Sequence, residues 1–210
     1  MVMGTRSGIR SVVATVLGAV MLADCSTPGP APIPSSAVTT TSAPTATTSA
    51  TAAMTSATPA SGLPIAGTGF GLHAPAGYVD VTERAAKAVL GWPVFGDKSL
   101  TLVWVGVEES DPGNLSRALV VAVLAGGPDP ATAAAALTRE AGASGAPSSV
   151  AVAGQTWHTF PTATGASAQA GLGALCRFAE TNVVLVEAGS GSQLGAHPTL
   201  WSVAATLSRP

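Results

Sequence analysis

Runs of apolar residues separated by turn-forming residues fill the C-terminal part of the chain. Three runs, at 100–107, 118–124 and 183–186, are apolar at nearly every position, which is typical of strands buried on both faces of a sheet. The Asp111-Pro112-Gly113 turn between the first two predicts that they pair as a hairpin. Shorter segments with a strand-like pattern predict further strands at 67–72, 78–81, 149–152, 155–160 and 174–179. Between the last two of these strands, the segment 161–173 consists mainly of small and polar residues, and we expect a loop there.

The clearest helical signal follows the second apolar run. Asp129 is a good N-cap, Pro130 suits the first helical position, and the alanine-rich segment 131–141 has high helix propensity. Gly142 is expected to end this helix.

Two shorter helices are predicted on either side of it. The first covers 82–90 with Thr82 as its N-cap, and the last begins at Pro198 and carries apolar residues at helical spacing. The order of strands, helix, antiparallel strands and terminal helix predicts an α+β domain, an antiparallel β-sheet flanked by helices.

The first residues follow a different pattern. Arg6 and Arg10 precede an apolar run at 12–23. A basic start followed by a short apolar run is typical of a secretory signal peptide, which we predict over residues 1–24. As a helix this run would span roughly 18 Å at ~1.5 Å per residue, which is short of the about 30 Å of a bilayer core. A spanning helix is therefore not expected.

The signal peptide ends in Leu22-Ala23-Asp24-Cys25. This tetrapeptide resembles the lipobox of bacterial lipoproteins, and the resemblance implies cleavage before Cys25 and an acyl anchor (diacylglycerol, of the palmitate type) on its sulfur. The chain would then be held on the outer face of the cell membrane. Asp24 stands where the lipobox has a small neutral residue, and a carboxylate is costly inside a membrane-embedded peptidase. The alternative is an ordinary signal peptide whose removal releases a secreted protein.

The next segment has the composition of a linker. Residues 26–62 are nearly all Ser, Thr, Ala and Pro, with no charge and no aromatic side chain, and such a segment is expected to be disordered. As polyproline II its 37 residues would reach about 115 Å. We therefore expect a lipidated Cys25 with its stalk at 25–62, followed by a single domain at 63–210.

Composition argues against several functions for that domain. It carries seven basic and ten acidic side chains with no basic cluster, which argues against nucleic-acid binding. His73, His158 and His197 lack metal-ligand spacing, so neither a metal nor another cofactor is expected. His73 and His197 adjoin turns or helix starts and are expected to be exposed or capping. Cys176 lies in an apolar stretch and is expected to be buried.

No catalytic motif is evident. A G-x-S-x-G nucleophile elbow is absent, and Gly189-Ser190-Gly191-Ser192 reads as a turn after a strand. The alternative function is an envelope or secreted hydrolase that combines Ser190 or Ser192 with His158 or His197. The preferred interpretation is a non-catalytic domain with a binding surface, for which the loop aromatics Tyr78, Trp92 and Phe95 are the candidate residues.

The sequence also resembles a known family. The resemblance is based on four features: the segment Phe70-Gly-Leu-His-Ala-Pro-Ala-Gly-Tyr78 near the start of the domain, the alanine-rich helix, the hairpin at Gly154 and the terminal helix. Together with the lipobox and stalk they resemble the LpqN/LpqT-type lipoproteins of actinobacteria, whose domain is similar to the PsbP/Mog1p α/β/α sandwich. The resemblance implies a non-enzymatic envelope domain that binds a protein partner or a small apolar, lipid or glycan ligand, and it supplies no catalytic residues.

Overall fold

The computed structural model describes residues 51–53 (backbone only), 57–96, 99–165, 169–189, 191 and 196–210. The predicted signal peptide, Cys25 and most of the predicted stalk lie outside this part of the chain. Among the described residues, no helix is both long and apolar enough to cross a membrane. In chain order the elements are β1 Thr51–Ala53, β2 Pro64–Gly67, β3 Phe70–His73, β4 Tyr78–Asp80, α1 Thr82–Val89, β5 Leu100–Glu108, β6 Leu119–Ala125, α2 Pro130–Glu140, β7 Ser148–Val152, β8 Gln155–Thr164, β9 Gln169–Phe178, β10 Thr181–Glu187 and α3 Pro198–Ala204.

An eight-stranded sheet is the centre of the fold. Its strand order is β1-β7-β8-β9-β10-β6-β5-β4, and every pair is antiparallel except β1 with β7. The three strands predicted to be buried on both faces, β5, β6 and β10, are neighbours inside this sheet. The predicted α+β class, an antiparallel sheet flanked by helices, is confirmed.

Each face of the sheet carries its own hydrophobic core. On one face α1, α2 and a 3-10 turn at Pro93–Phe95 cover residues such as Val105, Val120 and Phe160. On the other face α3 and the β2–β3 hairpin cover residues such as Trp104, Trp157 and Leu185. Alternate side chains of a strand point to opposite faces, so consecutive apolar residues in one strand serve both cores.

The helix α2 forms as its sequence predicts. One carboxylate oxygen of Asp129 accepts hydrogen bonds from the backbone N–H groups of Ala131 and Thr132, both at 3.1 Å. Bonds from the side chain and backbone of Thr132 lower the pKa of Asp129. At the other end Gly142 has φ +61°, the left-handed conformation that ends many helices.

Two details differ from the sequence-based expectation. The first predicted strand at 67–72 is instead a hairpin, because Gly69 takes φ +82° and reverses the chain between β2 and β3. The expected loop at 161–173 is largely strand, since β8 continues to Thr164 and β9 already begins at Gln169. The extension is stabilised by packing, because Gly173 lies opposite Phe160 and the ring fills the space where a Cβ would stand.

The helix α1 begins one residue earlier than a Thr82 cap would place it. Its N-cap is Val81, and the carboxylate of Asp80 accepts bonds from the Thr82 N–H (2.8 Å) and hydroxyl (2.6 Å). The Thr82 hydroxyl oxygen in turn accepts from the Val105 N–H at 2.8 Å. Thr82 therefore ties the helix to β5 instead of capping it.

Residues before Leu63 contact the domain. Thr51–Ala53 pair in parallel with Ser149–Ala151 at the β7 edge. Ala60 donates its N–H to the Ser202 carbonyl at 3.0 Å, and Gly62 donates to the Ala74 carbonyl at 2.8 Å. The C-terminal end of the predicted stalk is thus held against the α3 side of the domain.

Candidate functional site

The three aromatic residues predicted to form a binding surface lie in two different environments. Tyr78 is half-buried on β4, opposite Glu108 of β5. Trp92 and Phe95 are only 3% and 4% exposed. The expectation that these two are surface residues is therefore wrong. Their 3-10 turn contacts β8 and α2, and this packing directs both rings into the core, where they offer no area to a partner.

Other predicted site residues cannot be placed. Cys25, Ser190 and Ser192 lie outside the described residues. The predicted lipidation site and the predicted hydrolase nucleophiles therefore stay predictions.

Two open hollows adjoin β4, the strand at one edge of the sheet. Their volumes are about 550 and 590 Å³, and Glu109 lines both. We call the surface that combines them the β4 groove and define it by the residues that line it: Ala76–Arg84, Glu108, Glu109, Ser110 and Pro112. Of the three predicted binding residues, Tyr78 is the one that lines the groove.

The charge around the β4 groove is mostly negative. Carboxylates come from both sides of it, on the β4–α1 segment and on the turn after β5. Arg84 donates to the Pro112 carbonyl at 2.5 Å, and Arg117 lies 3.6 Å from Glu108, so both nearby cations are already engaged. The carboxylates at the groove and its rim are Asp80, Glu83, Glu108, Glu109 and Asp111.

A buried ion pair lies beneath the Tyr78 end of the groove. Glu187 is the last residue of β10, and His197 immediately precedes α3; they are 7% and 0% exposed. The His197 Nδ1 lies 3.3 Å from Glu187 Oε2, at ion-pair distance but outside good hydrogen-bond geometry. The same carboxylate oxygen accepts the Leu200 N–H at 3.0 Å, and the His197 Nε2 lies 2.9 Å from the Gly191 carbonyl oxygen.

His197 was expected to be exposed or capping; it occupies the N-cap position of α3, but its side chain is buried and makes no capping hydrogen bond. The signal that was missed is Glu187 itself, a carboxylate that ends a strand buried on both faces and must find a partner there. His73, by contrast, is exposed as expected, with its Nδ1 3.3 Å from the Gly62 carbonyl oxygen.

The environment shifts the pKa values of two of these groups. Burial lowers the pKa of His197, but the nearby Glu187 carboxylate and the Gly191 carbonyl together outweigh it, and the pKa is raised. Burial raises the pKa of Tyr78, and the charges of Glu187 and Glu108 raise it further. A hydrogen bond with the Thr199 side chain acts in the opposite direction, which connects Tyr78 to the first turn of α3.

Among the residues that the structure describes, the remaining reactive groups do not form a recognisable centre. Burial raises the pKa of the Cys176 thiol to about 11, so it stays protonated and unreactive, as its apolar surroundings predicted. His158 stands opposite Ser149 across the β7–β8 pair. The nearby carboxylate of Asp129 is already occupied as the α2 cap. Within the described residues, no group of three or more His, Cys, Asp or Glu is placed to hold a metal ion.

Comparison with known proteins identifies no family. No family model matches the sequence, and no curated protein matches it. Among solved structures, the chain is similar to cyanobacterial PsbP (CyanoP) from Synechocystis sp. PCC 6803, with a TM-score of 0.40 and 12% identity over 68% of this chain and 87% of that one. A protein of Bacteroides thetaiotaomicron VPI-5482 gives a TM-score of 0.39 and 10% identity over 67% of this chain. This chain spans 45% of the length of the Bacteroides protein.

Proposed function

We propose that this chain is an extracytoplasmic lipoprotein whose α+β domain binds a partner at the β4 groove without transforming it. The single observation that carries the proposal is the groove itself. It is open, lies at a sheet edge, and combines a half-buried Tyr with a surplus of carboxylates. An edge strand with adjoining side-chain pockets is a common place for a protein segment to bind.

The surplus of negative charge bears on the kind of partner. Complementary charge increases association rates and excludes partners of like charge. A protein surface or small ligand that presents Lys, Arg or another cationic group fits the β4 groove better than a purely apolar lipid does. Membership of the LpqN/LpqT group, proposed from the sequence resemblance, is compatible with such a role.

The hydrolase alternative is not favoured by the described residues. A general base must reach the proton it removes from the nucleophile. His197 is 0% exposed, and its two nitrogens face Glu187 and Gly191 instead of a cleft. A hydrolase would therefore have to rely on a different histidine.

The membrane attachment is tested by metabolic labelling with a fatty-acid analogue in a bacterial host that processes lipoproteins. We expect the wild-type chain to be labelled and to partition into detergent, and Cys25→Ser to be unlabelled. The matched control is Cys176→Ser, which removes the buried cysteine and should leave the labelling unchanged. Unlabelled wild-type protein in the culture medium would instead establish the secreted form.

The binding surface is tested by photocrosslinking in the producing cell. A photoreactive amino acid in place of Glu109 reports on partners that reach either hollow, because Glu109 lines both. The control carries the same amino acid in place of Glu180, an exposed residue on the β9–β10 turn. We expect a discrete adduct, identified by mass spectrometry, at position 109 only. Equal adducts at both positions, or none at 109, would remove the β4 groove as the binding site.

A further inference from the structure

The buried imidazole of His197 lies between two hydrogen-bond acceptors. Its Nε2 is 2.9 Å from the Gly191 carbonyl oxygen, and its Nδ1 is 3.3 Å from a carboxylate oxygen of Glu187. A neutral imidazole carries one N–H and leaves the other nitrogen with a lone pair. With the N–H on Nε2, the lone pair of Nδ1 would lie 3.3 Å from a buried carboxylate oxygen, and the repulsion between the two is unfavourable there.

An extra proton removes this conflict. An imidazolium donates to the Gly191 carbonyl from Nε2 and places its positive charge 3.3 Å from the Glu187 carboxylate. We propose that one proton bound at the Glu187–His197 pair holds the start of α3 against the sheet, and that its loss as the pH rises loosens this attachment. We call this arrangement the α3 latch.

The connection to α3 is direct. The Glu187 oxygen that faces the imidazole also accepts the Leu200 N–H in the first turn of α3. His197 is the residue immediately before that helix, and its carbonyl accepts the Trp201 N–H at 3.3 Å. When the imidazole is neutral, Glu187 remains as a buried carboxylate without a compensating charge, which destabilises the folded arrangement that holds the first turn of α3.

The surrounding charges favour the protonated form. Glu187 faces the ring from β10, and Tyr78 faces Glu187 from β4 with Glu108 of β5 behind it. The cation in this group is Arg117, whose side chain is 65% exposed and is paired with Glu108. The directions of the pKa shifts agree, because the pKa of His197 is raised in spite of its burial.

The α3 latch also adjoins the β4 groove. Tyr78 lines the groove, and Thr199 in the first turn of α3 is close enough to influence the Tyr78 pKa. Loosening of α3 would therefore remove a support of the groove wall. The proposed α3 latch depends only on the Glu187–His197 pair, and it would operate whether or not the β4 groove binds a ligand.

The test uses the full chain in detergent micelles with nitrogen-15 in its histidines. The sequence has three of them, so the spectrum is simple, and His73→Gln and His158→Gln assign the signals by elimination. We expect the midpoint between the doubly protonated and the neutral imidazole of His197 to lie above the ordinary 6.5. A neutral single tautomer of His197 at about pH 6 would overturn the proposal.

Hydrogen exchange then measures the attachment of α3. After correction for intrinsic exchange, we expect the protection of the Leu200 amide to fall by about tenfold or more between the two sides of the His197 titration, the size expected when one hydrogen bond to a charged group is lost. In Glu187→Gln this pH dependence should be lost, whereas in His158→Gln it should remain. Unchanged Leu200 protection in the wild-type chain across the titration would also overturn the proposal, and that measurement needs no variant to fold.

Discussion

The Trp92 indole is 3% exposed and packs in the core between the sheet and the helices α1 and α2. Its truncation leaves a large cavity that the surrounding side chains cannot close. We predict that Trp92→Ala lowers the free energy of unfolding by about 3–5 kcal/mol, measured by urea denaturation. Leu63→Ala is the control, because Leu63 is 64% exposed and its removal should change stability by about 0.5 kcal/mol or less. A cost for Trp92→Ala no larger than that of the control would show that the ring is not in the core.

Tyr78 is the single tyrosine of the chain, so its ionisation can be followed by the ultraviolet absorbance of tyrosinate. Burial and the charges of Glu187 and Glu108 raise its pKa, so we predict a midpoint above 10.0 in the folded protein. The unfolded chain in denaturant should titrate normally. Glu187→Gln should move the folded midpoint back towards 10.0, because it removes the larger of the two charge effects. A folded midpoint at or below 10.0 would contradict this environment.

Between elements, glycines allow aromatic rings to lie flat on neighbouring backbone. The Phe160 ring of β8 covers Gly173 of β9, and the Trp104 ring covers Gly106 two residues along β5. A Cβ at either glycine would overlap the ring. These pairs explain why strands rich in Gly are nevertheless well packed in this sheet.

Gly173→Ala tests this packing. The new methyl group must displace the Phe160 ring, and we predict a loss of about 1–3 kcal/mol in unfolding free energy. Gly113→Ala is the matched control, since no atom lies within 4 Å of a Cβ at that position. Equal stability of the two variants would show that the ring moves aside without cost.

The elements with strong local signals are those that the sequence predicts well. Asp129 and Gly142 bound α2 as expected, and the apolar run at 183–186 lies inside the sheet. The environments of Trp92 and His197 were not predicted, because long-range packing decides them. Trp92 is buried by β8 and α2, and His197 by its contact with Glu187 ten residues earlier, and neither partner is evident from local pattern.

For the whole molecule, the raised pKa of His197 makes stability depend on pH. The folded state holds the proton more tightly than the unfolded chain, whose histidine titrates near 6.5. The resulting stabilisation is fully present below pH 6.5 and is lost as pH rises through the folded pKa. We predict that wild type loses unfolding free energy across this range relative to His197→Gln, measured by urea denaturation at a series of pH values. A constant difference between the two proteins would contradict the sign of the shift.

The eight-stranded sheet separates two hydrophobic cores, and among the described residues no side chain belongs to both. Trp157 and Phe160 are three residues apart in β8, yet one ring packs under α3 and the other under α2. Because residues without common neighbours contribute independently to stability, the effects of substitutions on opposite faces should simply add. Each face can therefore change its sequence through evolution, or be redesigned, without a compensating change on the other.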